Sequence, residues 1–193
     1  MTIVRTRRIV ERVGEAMHKR TKFYLEALER RIKKTPGVSK PAMASLYHLL
    51  ATHDLLYGYF APLIAKYGVS LAGWNVLNLL NGSDDGSRPM HELSELMLVS
   101  RQNITQLVDG LEKKKLVQRH ACKEDGRVKH VEITKAGRDL VERAQKPHYE
   151  SVKEVFGALR DPELELFADY MLRIQERILE LREAEGDEEK ASA

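Results

Sequence analysis

Along most of this chain apolar residues recur every three or four positions, and the breaks between such runs are short and rich in Gly, Pro, Ser and Asp. Over residues 2–34, Ile9, Val13, Ala16, Met17, Tyr24, Ala27, Leu28 and Ile32 keep that spacing with one gap around Arg20, which predicts a helix. The stretch 35–41, with Pro36, Gly37 and Pro41, ends it. A second long helix is predicted over 41–66 from Leu46, Leu49, Leu50, His53, Leu56, Tyr57, Phe60, Leu63 and Ile64. Ser70 is placed to cap a third, running through Leu80, and 81–89 reads as a loop by composition. Residues 90–99 form a short helical pattern. Ser100 then stands as the N-cap of a helix whose Ile104, Leu107, Val108 and Leu111 make one apolar stripe. After a hairpin, 135–159 is predicted helical with a bend at Pro147. Asp161 is read as the cap of a last helix, with Pro162 at its first position and Leu164, Phe167, Met171, Ile174, Ile178 and Leu181 on one face. Residues 186–193 read as a polar acidic tail, and no internal repeat is present.

The hairpin gives the middle of the chain its chemistry. Val117, Val128, Val131 and Ile133 favour strands, and the tip is polar, with Lys123, Asp125 and Arg127 in it and Lys129 close by. The face of the preceding helix opposite its apolar stripe carries Arg101, Gln102, Thr105, Gln106 and Asp109. Alone, that face also suits an ordinary solvated helix. A basic hairpin directly after it makes the pair suit duplex DNA. Arg can pair bidentately with guanine, Gln or Asn with adenine, and Thr can touch a phosphate or a thymine methyl. Residues 101–129 hold eight Lys or Arg against four Asp or Glu, a local net charge of +4. Helix, turn, helix and charged hairpin is the element order of a winged helix-turn-helix, with one helix in the major groove and the hairpin over the backbone. The predicted class is therefore mainly α with a small β-hairpin wing, a winged helix-turn-helix core flanked by a helical dimerisation layer. A long apolar stripe on a terminal helix cannot bury itself against a small wing domain alone, hence the second chain.

The formal net charge of +3 over 193 residues conceals a strong polarity along the chain. Residues 1–40 carry twelve Lys or Arg against four Asp or Glu, and residues 161–193 carry four against eleven. This pattern suits a basic arm for nucleic acid, and equally suits two ends that pair with each other. The apolar stripe favours a first helix packed on the body or on a second chain over a free basic tail. No run approaches the roughly 20 apolar residues of a membrane span, and no secretory signal is visible. A single cysteine, Cys122, is consistent with a reducing compartment.

The stretch from Tyr67 to Ala144 resembles the MarR family of bacterial winged-helix transcriptional regulators. Leu93-Ser94-Glu95 matches the first helix of its motif, and Val99-Ser100 through Leu111-Glu112-Lys113-Lys114 its recognition helix. Leu116-Val117-Gln118-Arg119 matches the exit into the wing, and Asp125-Gly126-Arg127 its Asp-x-Arg signature. Lys115 stands where the family usually has Gly and would have to adopt a left-handed backbone. Gly126 stands where many relatives have a first wing Arg. The resemblance implies a cytoplasmic homodimer that binds a near-palindromic double-stranded DNA operator, most often as a repressor. It implies DNA-binding roles for Ser100, Arg101, Gln102, Asn103, Thr105, Gln106, Arg119, Lys123, Asp125, Arg127 and Lys129. It also places Tyr47, His48, Tyr57, Trp74 and Asn75 on two helices that line an effector cleft in the family. A small aromatic effector would fit there, and core packing is the other reading. Gly73-Trp74-Asn75 resembles the urate-responsive branch, which has an acidic residue where Asn75 stands, so urate is not expected.

The resulting partition is an N-terminal extension and linker at 1–40, a dimerisation region at 41–66 and 145–185, a DNA-binding domain at 67–144, and a tail at 186–193. His120, Cys122 and His130 come together if the hairpin is centred on Asp125, and three such ligands could hold zinc. With no fourth protein ligand and no close Cys-x-x-Cys pair, no metal or other cofactor is expected. No His-Glu-x-x-His, Gly-x-Ser-x-Gly or phosphate loop occurs, so an enzyme is not expected. A helical protein-interaction scaffold is the alternative function. It explains the stripes and leaves the charged hairpin without a purpose.

Overall fold

The computed structural model describes residues 19–32, 35, 37–121 and 128–192, with side chains omitted at 20, 31, 32 and 186–192. These residues fall into two compact units, one ending at Val141 and one beginning at Glu142.

In the first unit, α1 (Lys19–Ile32) packs on α2 (Lys40–Ala65). Thr21 and Leu28 are buried, the Tyr24 ring stacks on Tyr47 with centroids 5.0 Å apart, and Lys40 pairs with Glu29. The described part of the N-terminal extension is thus docked through its stripe, as that stripe requires. Ile9, Val13, Ala16 and Met17 lie outside the described residues. Along α2, Ala51, Phe60 and Ile64 are buried, whereas Leu46, Leu49, Leu50, Leu55, Tyr57 and Tyr59 are exposed. Ser70 caps α3 (Leu71–Asn81) by accepting the Gly73 N–H at 3.1 Å. Trp74, Val76, Leu77 and Leu80 of α3 lie at the centre of the core.

The segment expected to be a loop up to Pro89 contains a strand. β1 (Ser87–Pro89) pairs antiparallel with β3 (Lys129–Ile133), which also pairs with β2 (Val117–Ala121), giving the order β1-β3-β2. Three residues including a proline carry no strand signal of their own, so only the edge of β3 makes a strand of them.

Between β1 and β2 lie α4 (Met90–Leu96) and α5 (Arg101–Lys113). Helix α4 is shorter than its apolar pattern suggested. Leu98 turns left-handed (φ 52°), so its N–H donates to the Glu95 carbonyl and that of Val99 to Ser94, both at 3.1 Å. That pair of bonds is a Schellman motif, and it makes the turn between the two helices. Helix α5 ends the same way. Lys115 has φ 60°, as the sequence required, with its N–H on Glu112 O at 2.8 Å and Leu116 N–H on Leu111 O at 3.0 Å.

Helix α6 (Lys135–Phe156) runs through Pro147 and crosses from the first unit into the second. In the second unit α7 spans Asp161–Ser192, so the segment read as a tail continues the helix. Asp161 is its first residue and not the cap. Arg160 precedes it, donating its backbone N–H to Glu163 Oε2 at 3.0 Å. This is the return half of a capping box, moved one residue upstream. Leu166, Phe167, Tyr170, Leu172, Ile174, Ile178, Leu179 and Leu181 of α7 are exposed in the single chain.

Candidate nucleic-acid interface

Helix α5 is oriented by its two faces. Ile104, Val108 and Leu111 are buried, with Leu111 against Gly73, where a Cβ would lie 3.3 Å from Leu111 Cδ2. The absence of a side chain at Gly73 lets α5 lie close to α3. The opposite face therefore points outward, and Arg101, Gln102, Asn103, Thr105 and Gln106 are all exposed. Ser100 caps the helix, accepting the Asn103 N–H at 3.2 Å. The Thr105 hydroxyl donates to Arg101 O at 2.8 Å, which leaves its oxygen free to accept.

The wing stands beside this face. β2 and β3 pair with Gln118 opposite Glu132, Arg119 opposite Val131 and His120 opposite His130. Lys129 is exposed, and Lys123, Asp125 and Arg127 lie outside the described residues. A groove of about 520 Å³ runs between helix and wing. Its polar lining is His91, Arg101, Thr105, Arg119 and Lys129, over Met90, Ile104 and Val128. His91, in the first turn of α4, was not anticipated. Nothing in the local sequence marks it, because its place in the groove comes from the packing of α4 on α5.

The root of the wing is braced on both sides. The Thr134 hydroxyl donates to Lys115 O at 2.7 Å and accepts the Gly137 N–H at 3.1 Å, and the Thr134 N–H donates to Leu116 O at 3.0 Å. Arg119, expected to meet DNA, lines the groove with its guanidinium already engaged within the chain. It is engaged by Asp109, Glu112 and the carbonyl of Thr105, and its side chain is only 24% exposed.

The five residues considered for an effector differ in their surroundings. Trp74 is 2% exposed, part of the core, and Tyr47 is stacked on Tyr24. His48, Tyr57 and Asn75 are exposed. None of the five lines the groove above, nor the hollow of about 470 Å³ along Glu142, Tyr149 and Lys153 of α6. The cross-strand His120–His130 pair forms in the register expected, with ring centroids 5.6 Å apart. Among the described residues no three His, Cys, Asp or Glu converge on a metal position, and Cys122 is outside them.

A helix-turn-helix with an outward polar reading helix, a three-stranded sheet and a basic groove at the wing defines a winged-helix DNA-binding protein. A family model described as the MarR family matches residues 67–128. The HTH-type transcriptional regulator MhqR of Bacillus subtilis is 30% identical over 111 residues, covering 58% of this chain and 75% of that protein. Among solved structures, Sco5413, a MarR family transcriptional regulator from Streptomyces coelicolor, is 30% identical with a TM-score of 0.61 and covers 76% of this chain and 96% of its own. Sco3205 from the same organism, solved in complex with DNA, shares the fold at 20% identity, with a TM-score of 0.69 over 73% of this chain and 93% of its own. The chain belongs to the MarR family. It is a transcriptional regulator and not an enzyme. No helix of the described residues is long and apolar enough to cross a membrane.

Proposed function

We propose that this regulator acts in the cytoplasm as a homodimeric repressor, occupying a near-palindromic operator and releasing it when a small aromatic effector binds. The observation that carries the DNA reading is the outward face of α5 beside the basic groove of the wing. Arg101, Gln102 and Gln106 have the forked groups that distinguish base edges. Ser100, Asn103 and Thr105 set the helix on the backbone, and Lys129, with Lys123 and Arg127 of the tip, meets phosphate. Two features support the dimer. The outer side of α2 and the length of α7 expose Leu49, Tyr57, Phe167, Ile174 and Ile178, an extent of apolar surface beyond the scattered exposure of a monomer. Two copies related by a twofold axis would also set two reading helices about one DNA turn, roughly 34 Å, apart. Repression then follows by occlusion of polymerase. For release, the exposed Tyr57 and His48 on α2 offer aromatic contact to a ring-bearing ligand.

Binding to the DNA flanking its own gene, against a scrambled duplex, tests the reading. Arg101→Ala, Gln102→Ala and Gln106→Ala should each weaken the first by about 1–3 kcal/mol and flatten the preference. Equal losses on both duplexes would reduce these residues to phosphate contacts. Sedimentation should show a dimer, and Ile174→Asp should dissociate or unfold it by burying an unpaired charge. A wild-type monomer at micromolar concentration would refute the dimer.

A further inference from the structure

Strand β2 leaves α5 through a turn of only three residues, so the angle between reading helix and wing is set at that junction. Four interactions converge there on Arg119. Its backbone N–H donates to Glu112 Oε1 at 3.0 Å, and its Nη1 to Glu112 Oε2 at 2.8 Å. The same Nη1 lies 2.6 Å from Asp109 Oδ1, and Nη2 donates to Thr105 O at 3.1 Å. Thr105, Asp109 and Glu112 are spaced by four and then three residues, so one β2 side chain grips about two turns of α5. A guanidinium suits this task because its five N–H groups form a rigid planar fork, where a lysine offers a point charge.

The electrostatics argue against a second use for the same group. One guanidinium faces two carboxylates, so the three side chains together carry a net charge of −1 and present no surplus cation to a phosphate. Arg119 also stands opposite Val131 of β3 in the ladder, so what holds Arg119 holds the hairpin.

We infer that Arg119, gripped by Glu112 and Asp109, is a positioning residue that fixes the angle of the wing against α5 and does not itself contact DNA. The inference rests on the DNA-binding reading of α5 and the wing given above. A duplex is stiff on this scale, so base edges met by α5 and phosphates met by the wing are two points on one body. A hinge at Arg119 puts one of the two out of hydrogen-bonding range.

The test uses the full-length protein, the duplex it enriches from a random library, and a scrambled duplex, each titrated over a salt series. Arg119→Gln should lower affinity for the enriched duplex by about ten- to a hundredfold, the worth of one misaligned bidentate base contact. The ratio of affinities for the enriched and scrambled duplexes should fall by that factor, and the slope of log K against log salt should not change, because no phosphate contact is lost. Glu112→Gln, which removes no cation, should cause the same loss, and the double variant should be no weaker than either single one. Arg119→Lys, keeping the charge without the fork, should behave as Arg119→Gln. A direct phosphate contact gives the opposite pattern and would overturn the inference. In that case Arg119→Gln lowers the slope by about one unit and weakens both duplexes, Arg119→Lys recovers most of the affinity, and Glu112→Gln tightens binding. Thermal melting checks that the variants fold, and Asp109→Asn, which removes one carboxylate only, carries the same comparison if they do not. A wild-type protein that enriches no sequence would defeat the DNA reading itself, whereas the phosphate pattern in the variants would defeat only the clamp.

Discussion

Gly137→Ala is the substitution for which the structure and local propensity disagree most sharply. Within an exposed helix, replacing Gly by Ala is favourable by about 0.5–1 kcal/mol. Gly137 is in the first turn of α6, where propensity alone recommends the change. Yet a Cβ built there would lie 2.3 Å from the carbonyl oxygen of Leu116 and 2.7 Å from Ile133 Cγ1. Neither neighbour can easily retreat. Leu116 O accepts the Thr134 N–H at 3.0 Å, and both Leu116 and Ile133 are buried. Overpacking of this kind costs about 1–3 kcal/mol, and loss of the Thr134 bond would add about 1 kcal/mol. The propensity gain is smaller than that sum, so the net is a destabilisation of about 1–3 kcal/mol. At a length near 190 residues this is a fall in melting temperature of roughly 2–4 °C per kcal/mol. Urea denaturation followed by circular dichroism should show a lower midpoint with an unchanged slope. Because the clash is at the root of the wing, operator affinity should fall as well. A Gly137→Ala protein with a raised midpoint would show that α6 has room there, and would refute the close approach of α6 to the α5–β2 turn.

Three other outcomes are expected. Lys115→Gly relieves a left-handed lysine, a gain of about 1–2 kcal/mol, offset by about 0.4–1 kcal/mol of added unfolded-chain freedom; denaturation should register a small stabilisation, and a clear loss would contradict the φ of 60°. Glu163 accepts hydrogen bonds from the Arg160 side chain and backbone, which hold its carboxyl down at about 2 from 4.5. A depressed folded value means that the stabilisation is present above the unfolded value and lost as pH falls from about 4.5 through 2, so carboxyl NMR should find a midpoint near 2 that rises in Arg160→Ala. Deletion of residues 1–36 removes the contacts of Leu28, Thr21 and Tyr24 with the body; the melting temperature should fall while sequence preference survives, and unchanged melting with weaker binding to every duplex would point to a basic arm on DNA.

Some of this protein is determined within a few residues of chain. Ser70 and Ser100 cap α3 and α5 because a hydroxyl can reach the N–H three residues on, a choice that needs no distant partner. The stripe of Ile104, Val108 and Leu111 implies an outward face bearing Arg101, Gln102 and Gln106, since a helix has one period. Lys115, where the family resemblance put a position usually held by Gly, is left-handed, and the turn it makes is closed by bonds to Glu112 and Leu111 just before it. The His120–His130 register followed from the centre of the hairpin alone.

Other features exist only through tertiary contact. Ser87–Pro89 is a strand because β3 offers an edge, and its own residues favour a loop. Arg119 reads in sequence as one more cation at a DNA surface, and only the folded turn brings Asp109 and Glu112 to it. Trp74 reads in sequence as core more readily than as a ligand contact without excluding the second, and packing at the centre of the first unit buries it. Helix α2 is apolar on more than one side, so periodicity could not say that Ala51, Phe60 and Ile64 face inward while Leu46, Leu49 and Leu50 do not. The physical reason is common to all four. A cap or a helical period is settled by atoms a few residues away, whereas a strand edge, an ion-pair partner or the buried side of an apolar helix is settled by whichever distant segment arrives against it.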